Sequence, residues 1–144
     1  MRRTAFALAA LFLAGHAAPA FAQNAPPHAW LFGTWTGGIF PVPANIPPQA
    51  CLSQPVVVFT RDLVLRATIT EQFMGQREIE SVRATPTGVE FRFAGGVAPT
   101  VGEPIPGFGC ESGAVLHVQR RGENEISFPG CADFPNPLVR CQTR

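Results

Sequence analysis

Thr85-Pro86-Thr87-Gly88-Val89-Glu90-Phe91-Arg92-Phe93 is the stretch that decides the fold. Proline and glycine stand where a tight turn needs a preset φ and a residue without a Cβ. Val89, Phe91 and Phe93 then alternate with Glu90 and Arg92. Successive side chains of a strand point to opposite faces, so this is a half-buried strand leaving a hairpin turn.

The same grammar extends in both directions. Arg77 to Ala84 predicts the partner strand before the turn. Further upstream, Val56-Val57-Val58-Phe59 is a dense β-branched run, and Thr60-Arg61-Asp62 a short turn. Leu63, Leu65, Ala67 and Ile69 then alternate with Val64, Arg66, Thr68 and Thr70, which predicts a strand with its leucine face inward. The first strand is expected from about Trp30 to Ile39, with a proline-rich connection from Pro41 to Ala50. Downstream, residues 95–112 form a long loop rich in glycine and proline. Ala114 to Arg121 and Glu125 to Phe128 make a hairpin around Gly122-Glu123-Asn124, and Leu138 to Gln142 ends the series. No run of helical period competes, and 15 prolines with 14 glycines, mostly between the runs, suit an all-β chain.

The result is about eight strands, and their connections alternate in length. If each strand turns back antiparallel, the short turns gather at one end and the long loops at the other. That pattern predicts a small antiparallel up-and-down barrel with a closed base and a loop-dressed mouth. Closure also removes the sheet edges that invite aggregation. A two-sheet β-sandwich built from the same strands is the alternative.

The start of the chain addresses it. Arg2 and Arg3, the apolar run Ala5 to Leu13 and the small-residue ending Ala20-Phe21-Ala22 have the three-part layout of a secretory signal peptide. The apolar run is too short to span a bilayer. Cleavage is expected after Ala22, with a Sec-type route; Arg2-Arg3 with Phe6 also fits a twin-arginine signal. Residues 23–29 read as a flexible lead-in and residues 30–144 as a single disulfide-bonded β domain in the periplasm or secreted. Beyond Ala22 the acidic residues exceed the arginines by about one, so no cationic footprint for nucleic acid or an anionic membrane exists.

An oxidising compartment gives the cysteines their meaning. Cys51, Cys110, Cys131 and Cys141 are an even set in an exported domain and read as two disulfides. The spacing lacks the close ligand pairs of a structural metal site, and no cofactor is expected. Cys131–Cys141, clipping the last hairpin, with Cys51–Cys110, tying two mouth loops, is the favoured pairing. Cys110–Cys131 with Cys51–Cys141 is close behind.

The opening strand reads Leu31-Phe32-Gly33-Thr34-Trp35-Thr36-Gly37. The Gly33-x-Trp35 pattern shortly after the mature start resembles the calycin superfamily of lipocalin-like barrels. That resemblance implies that Trp35 packs across the closed base under an arginine from near the last strand, with Arg121 and Arg140 as candidates. In size the chain is closer to the small periplasmic metalloprotease inhibitors of similar shape. Those act through an N-terminal tail, whose counterpart here is Gln23 to Ala29.

Catalytic chemistry finds no foothold in the sequence. No G-x-S-x-G nucleophile elbow is present, and Ser53, Ser81, Ser112 and Ser127 lack that context. His117 reads as a surface histidine on a strand face with Val115 and Gln119. Glu78 and Glu80 read as a solvated strand face, because glycosidase carboxylates usually flank a substrate from different elements. The mouth loops carry the binding candidates Phe40, Val42, Ile46, Ile105 and Phe108. Long loops that expose apolar residues mark ligand or partner surfaces, unless those residues fold down to cap the core.

Three functions are thereby distinguished. A cavity lined by Phe91, Phe93 and Leu65 favours a carrier of a small apolar ligand. A solid core with a protruding loop favours a protein-binding module such as an envelope protease inhibitor. A buried polar cluster around His117 favours a small secreted enzyme.

Overall fold

The computed structural model describes residues 25–43, 51, 55–67, 75–95 and 107–142. Its eight strands are β1 (Gly33–Gly37), β2 (Val56–Phe59), β3 (Leu63–Ala67), β4 (Gly75–Thr85), β5 (Gly88–Phe93), β6 (Val115–Arg120), β7 (Glu125–Ser127) and β8 (Leu138–Arg140). Each pairs antiparallel with its sequence neighbours, and β1 pairs with β8 to close the barrel in the order β1 to β8. This is the up-and-down barrel, not the sandwich. The short turns at 60–62, 86–87 and 121–124 share the base, and the strand ends joined by the longer connections share the mouth, as the connection lengths predict.

The rest of the opening stretch differs from expectation. Ala29–Leu31 is a short 3₁₀ turn rather than the beginning of β1. β4 starts at Gly75, two residues ahead of the expected Arg77, and a register shift between Ile79 and Ser81 interrupts its ladder with β5. β1 ends at Gly37 and Gly38, whose φ values of 103° and 82° lie where side chains are strained. A Cβ on Gly38 would also run into the ring of Phe134, so the mouth end of β1 needs glycine twice over.

β3 turns its faces the opposite way from the expectation. Val64 is fully buried and Arg66 is 7% exposed, while Leu63, Leu65 and Ala67 lie half-buried on the outer wall. The reason is that Arg66 finds partners inside the mouth. Its Nη1 donates to the carbonyl of Gly107 and lies 3.2 Å from Asp133 Oδ2, and its guanidinium sits over the Phe108 ring at 6.0 Å. A buried charge is tolerated when it is paired and hydrogen-bonded. Outside, Leu65 faces Val58 across the β2–β3 ladder.

The core fills the barrel axis with rings. His28 meets Phe91 edge-on at the base, and Phe91 stacks on Phe59 (5.5 Å) and on Phe93 (6.3 Å). Phe93 stacks on Phe108, which meets Phe128 and Phe134 at 5.5 and 5.6 Å under the mouth. Trp35, Leu116, Ile126 and Leu138 complete the wall. Aromatic pairs at these separations add to the area that they bury.

The disulfides are Cys51–Cys141 and Cys110–Cys131, with Cα–Cα separations of 5.9 and 3.8 Å. The favoured pairing, Cys131–Cys141 with Cys51–Cys110, is therefore corrected. Cys131 follows β7 at the mouth, where it bridges Cys110 in an antiparallel pair. Between Cys131 and Cys141 the chain crosses the barrel wall along β8, about 10 Å at 3.3 Å per residue, toward the base. Cys141 donates its backbone N–H to the Thr34 carbonyl, one strand away from Val58 and far from the mouth. Alternation from the inward Leu138 puts it on the outer wall, where it meets Cys51.

Candidate binding surfaces at the base and the mouth

At the base, the residues expected to be a flexible lead-in are part of the packed body from Pro26 onward. Ala29 and Leu31 donate their N–H groups to the carbonyls of Pro26 and His28. His28 is 2% exposed, and its Nε2 donates to the carbonyls of Thr60 and Arg61, both at 3.1 Å, tying the segment to the β2–β3 turn. Its Nδ1 is buried without a hydrogen-bond partner.

Trp35 is fully buried, and its indole Nε1 donates to the Leu31 carbonyl at 2.8 Å. Of the two candidate arginines it is Arg140 that covers the ring, with its guanidinium carbon 4.3 Å from the centroid. Arg140 also donates to the carbonyls of Phe32 (2.8 Å) and Trp30. Burial, and then the positive charge of Arg120, push its pKa below the usual arginine value. Arg121 has no ring contact with Trp35; it lines both a hollow beside Trp30 and the groove along β6–β7.

At the mouth, the five loop candidates part company. Phe40 is 54% exposed, and Val42 is half-buried with its side chain over Gly37. Phe108 is 3% exposed and belongs to the core, so it caps the barrel instead of facing a partner; this corrects its reading as a loop contact. Ile46 and Ile105 lie outside the described residues. The expected lining of a cavity also changes: Phe91 and Phe93 face inward and touch other rings, and Leu65 faces outward. Arg77, opposite Val64 in the ladder, lies 4.9 Å from the Phe93 ring, and burial lowers its pKa. A groove of about 560 Å³ runs beside the mouth between β6–β7 and the 128–137 loop, walled by Phe128, Pro129, Pro135 and Pro137.

The polar groups weighed for catalysis stand on the outer wall. His117 Nδ1 is 3.6 Å from Glu90 Oε2, which also accepts from Arg83 Nη2 at 2.9 Å. That bond to Arg83 is the main cause of the lowered pKa of Glu90. His117 and Arg83 are exposed, as are Glu78 and Glu80. Among the described residues, no three His, Cys, Asp or Glu side chains gather as a metal site would require. No helix among them is long and apolar enough to cross a membrane.

Sequence reasoning missed Arg66, His28, Trp30 and Arg120 as organising residues. An arginine within an otherwise apolar alternation was the one available sign for Arg66. Comparison with protein-family models, curated proteins and solved structures yields no match to this chain.

Proposed function

We propose that this chain is an exported binding protein, without catalytic activity, that meets a protein partner through its mouth. The observation that carries the reading is the unbroken path of rings from His28 at the base to Phe108 and Phe134 at the mouth. Among the described residues the axis is occupied by side chains, which leaves a carrier's lumen to no small apolar ligand. Small barrels of this strand number are commonly filled in this way. Phe40 stands half out of the mouth beside Pro41 and Pro43, and aromatic residues are enriched at protein interfaces. The two disulfides fit an oxidising compartment, in keeping with the leader-like start.

Kinship with the calycin barrels belongs to the same reading. Its support is the placement of Arg140 over Trp35 at the base of a closed eight-strand barrel. The tail mode of the periplasmic inhibitors fits this chain less well than the mouth, because residues 26–31 are bonded into the base. An envelope protein, reached by the mouth loops, is the partner expected.

A photo-crosslinking residue at position 40, expressed in the exported protein, tests the reading. A discrete protein adduct is expected from position 40 and not from position 123 on the base turn. Equal labelling from both positions refutes it. So does a stoichiometric apolar molecule retained by the purified protein in native mass spectrometry, because the lumen would then be a ligand site.

A further inference from the structure

The base carries a second surface with its own chemistry. Trp30, Pro86, Thr87, Gly88, Arg120 and Arg121 line a hollow of about 540 Å³ between the β4–β5 and β6–β7 turns. It is too large for a water and large enough for a small organic ligand. Arg120 lies over the Trp30 ring at 5.1 Å, and its Nε donates to the Gly122 carbonyl at 3.3 Å. That contact and that bond fix the stem and leave the Nη fork of the guanidinium for another acceptor. The backbone N–H of Arg120 is held by the Thr87 carbonyl, so the two turns keep a fixed spacing.

The charge in this hollow is unbalanced. Among the described residues the acidic partners of ion pairs are Asp133 and Glu90, which pair with Arg66, Arg83 and His117. Neither Arg120 nor Arg121 has a carboxylate within ion-pair distance there. Arg140 stands close enough for the charge of Arg120 to disfavour its own, after the larger effect of burial. An anion in the hollow would relieve that repulsion, and a planar guanidinium fork recognises the two oxygens of a carboxylate or phosphate together.

We propose that the Trp30–Arg120–Arg121 hollow binds a doubly charged oxyanion group, either a phosphate or a pair of neighbouring carboxylates on a small ligand. The site lies at the end opposite the mouth and is independent of any partner bound there.

The chain has two tryptophans, and they supply the assay. Trp30 is in the hollow, whereas Trp35 is buried with its indole N–H already bonded to Leu31. The full chain, purified after export and labelled with ¹⁵N at tryptophan, is titrated with inorganic phosphate and, separately, with succinate. Sodium chloride holds the ionic strength constant. A saturable shift of the Trp30 indole signal with a stationary Trp35 signal is expected from at least one of the two. The probe that saturates at lower concentration identifies the phosphate or the dicarboxylate form of the ligand.

Arg120→Gln and Arg121→Gln are each expected to weaken the interaction by about tenfold, the scale of one charge-assisted hydrogen bond. The unmoved Trp35 signal verifies that each variant is folded. Three results overturn the proposal: a linear drift no different from that in chloride alone, equal movement of both indoles, or saturation unchanged in the Arg120→Gln/Arg121→Gln double variant. If Arg120→Gln unfolds the base, Arg121→Gln alone decides, because the ring contact with Trp30 belongs to Arg120.

Discussion

Truncating Arg140 to alanine should be the most informative single change at the base. The side chain donates to the carbonyls of Phe32 and Trp30 and lies over the indole of Trp35. Hydrogen bonds from a charged donor contribute about 1.5–3 kcal/mol each, and a half-buried cation–π contact about 1 kcal/mol. Burial and the like charge of Arg120 act against the charged group and offset part of this gain. The contributions share one side chain and do not add, so a net loss of about 2–3 kcal/mol is expected. For a domain of this length that lowers Tm by roughly 6–15 °C. Arg140→Lys keeps the charge but not the fork, and should lose about half as much. Urea unfolding at fixed pH is the assay, with the m-value checked for constancy. A cycle with Trp35→Phe should return a coupling of about 0.5–1 kcal/mol. An alanine variant within about 0.5 kcal/mol of the parent, or a zero coupling, would show that Arg140 is a surface residue resting on the base without securing it.

Four other outcomes are expected. Trypsin cuts after Arg61, Arg92, Arg120, Arg121 and Arg140, which puts each cysteine in its own peptide, so a non-reducing map should show Cys51 joined to Cys141 and Cys110 to Cys131. By loop length, replacing the first pair with serine should cost about 4.5 kcal/mol and the second about 3 kcal/mol; a reversed order in denaturant unfolding would show that chain entropy is not the main effect. Phe108→Ala should cost about 3–5 kcal/mol as a core cavity, and Phe40→Ala less than about 0.5 kcal/mol, and equal losses would contradict their placement. The Arg83 hydrogen bond holds the folded Glu90 pKa below the ordinary glutamate value of 4.5. Its stabilisation is therefore present above that value and disappears as pH falls through the lower folded one. The stability gap between the parent and Glu90→Gln should be constant near neutral pH and close in acid; a gap that grows in acid contradicts the sign.

The strand series was legible because each strand carries its own alternation and its own turn residues. Thr85 to Phe93 and Glu125 to Phe128 fall close to where the pattern puts them. What alternation does not carry is sign. Leu63, Leu65 and Ala67 form the greasier face of β3, yet Val64 and Arg66 are the pair that points inward. The guanidinium is accepted there because Gly107 and Asp133, more than 40 residues along the chain, come within reach. Cysteine pairing failed for a related reason. Proximity in sequence favours Cys131 with Cys141, but the strand between them carries one away from the other. His28 was illegible because the carbonyls it binds belong to the β2–β3 turn, more than 30 positions later. Phe108 could not be assigned from its loop alone, since Phe93, Phe128 and Phe134 provide its surroundings.

The pairing of β1 with β8 turns a linear chain into a ring of strands in which every hydrogen-bonded neighbour is also a neighbour in sequence or across the seam. A ring has no obligatory starting point. Both sides of the seam reach the base, where Gly33 enters and Cys141 leaves beside Thr34. A circular permutant that keeps residues 26–32, links the chain ahead of Pro26 to the end of β8 with a flexible tether and opens it between Pro86 and Thr87 would therefore retain all eight ladders. The cut would fall in an exposed two-residue bend, and new termini would emerge at the base with the mouth untouched.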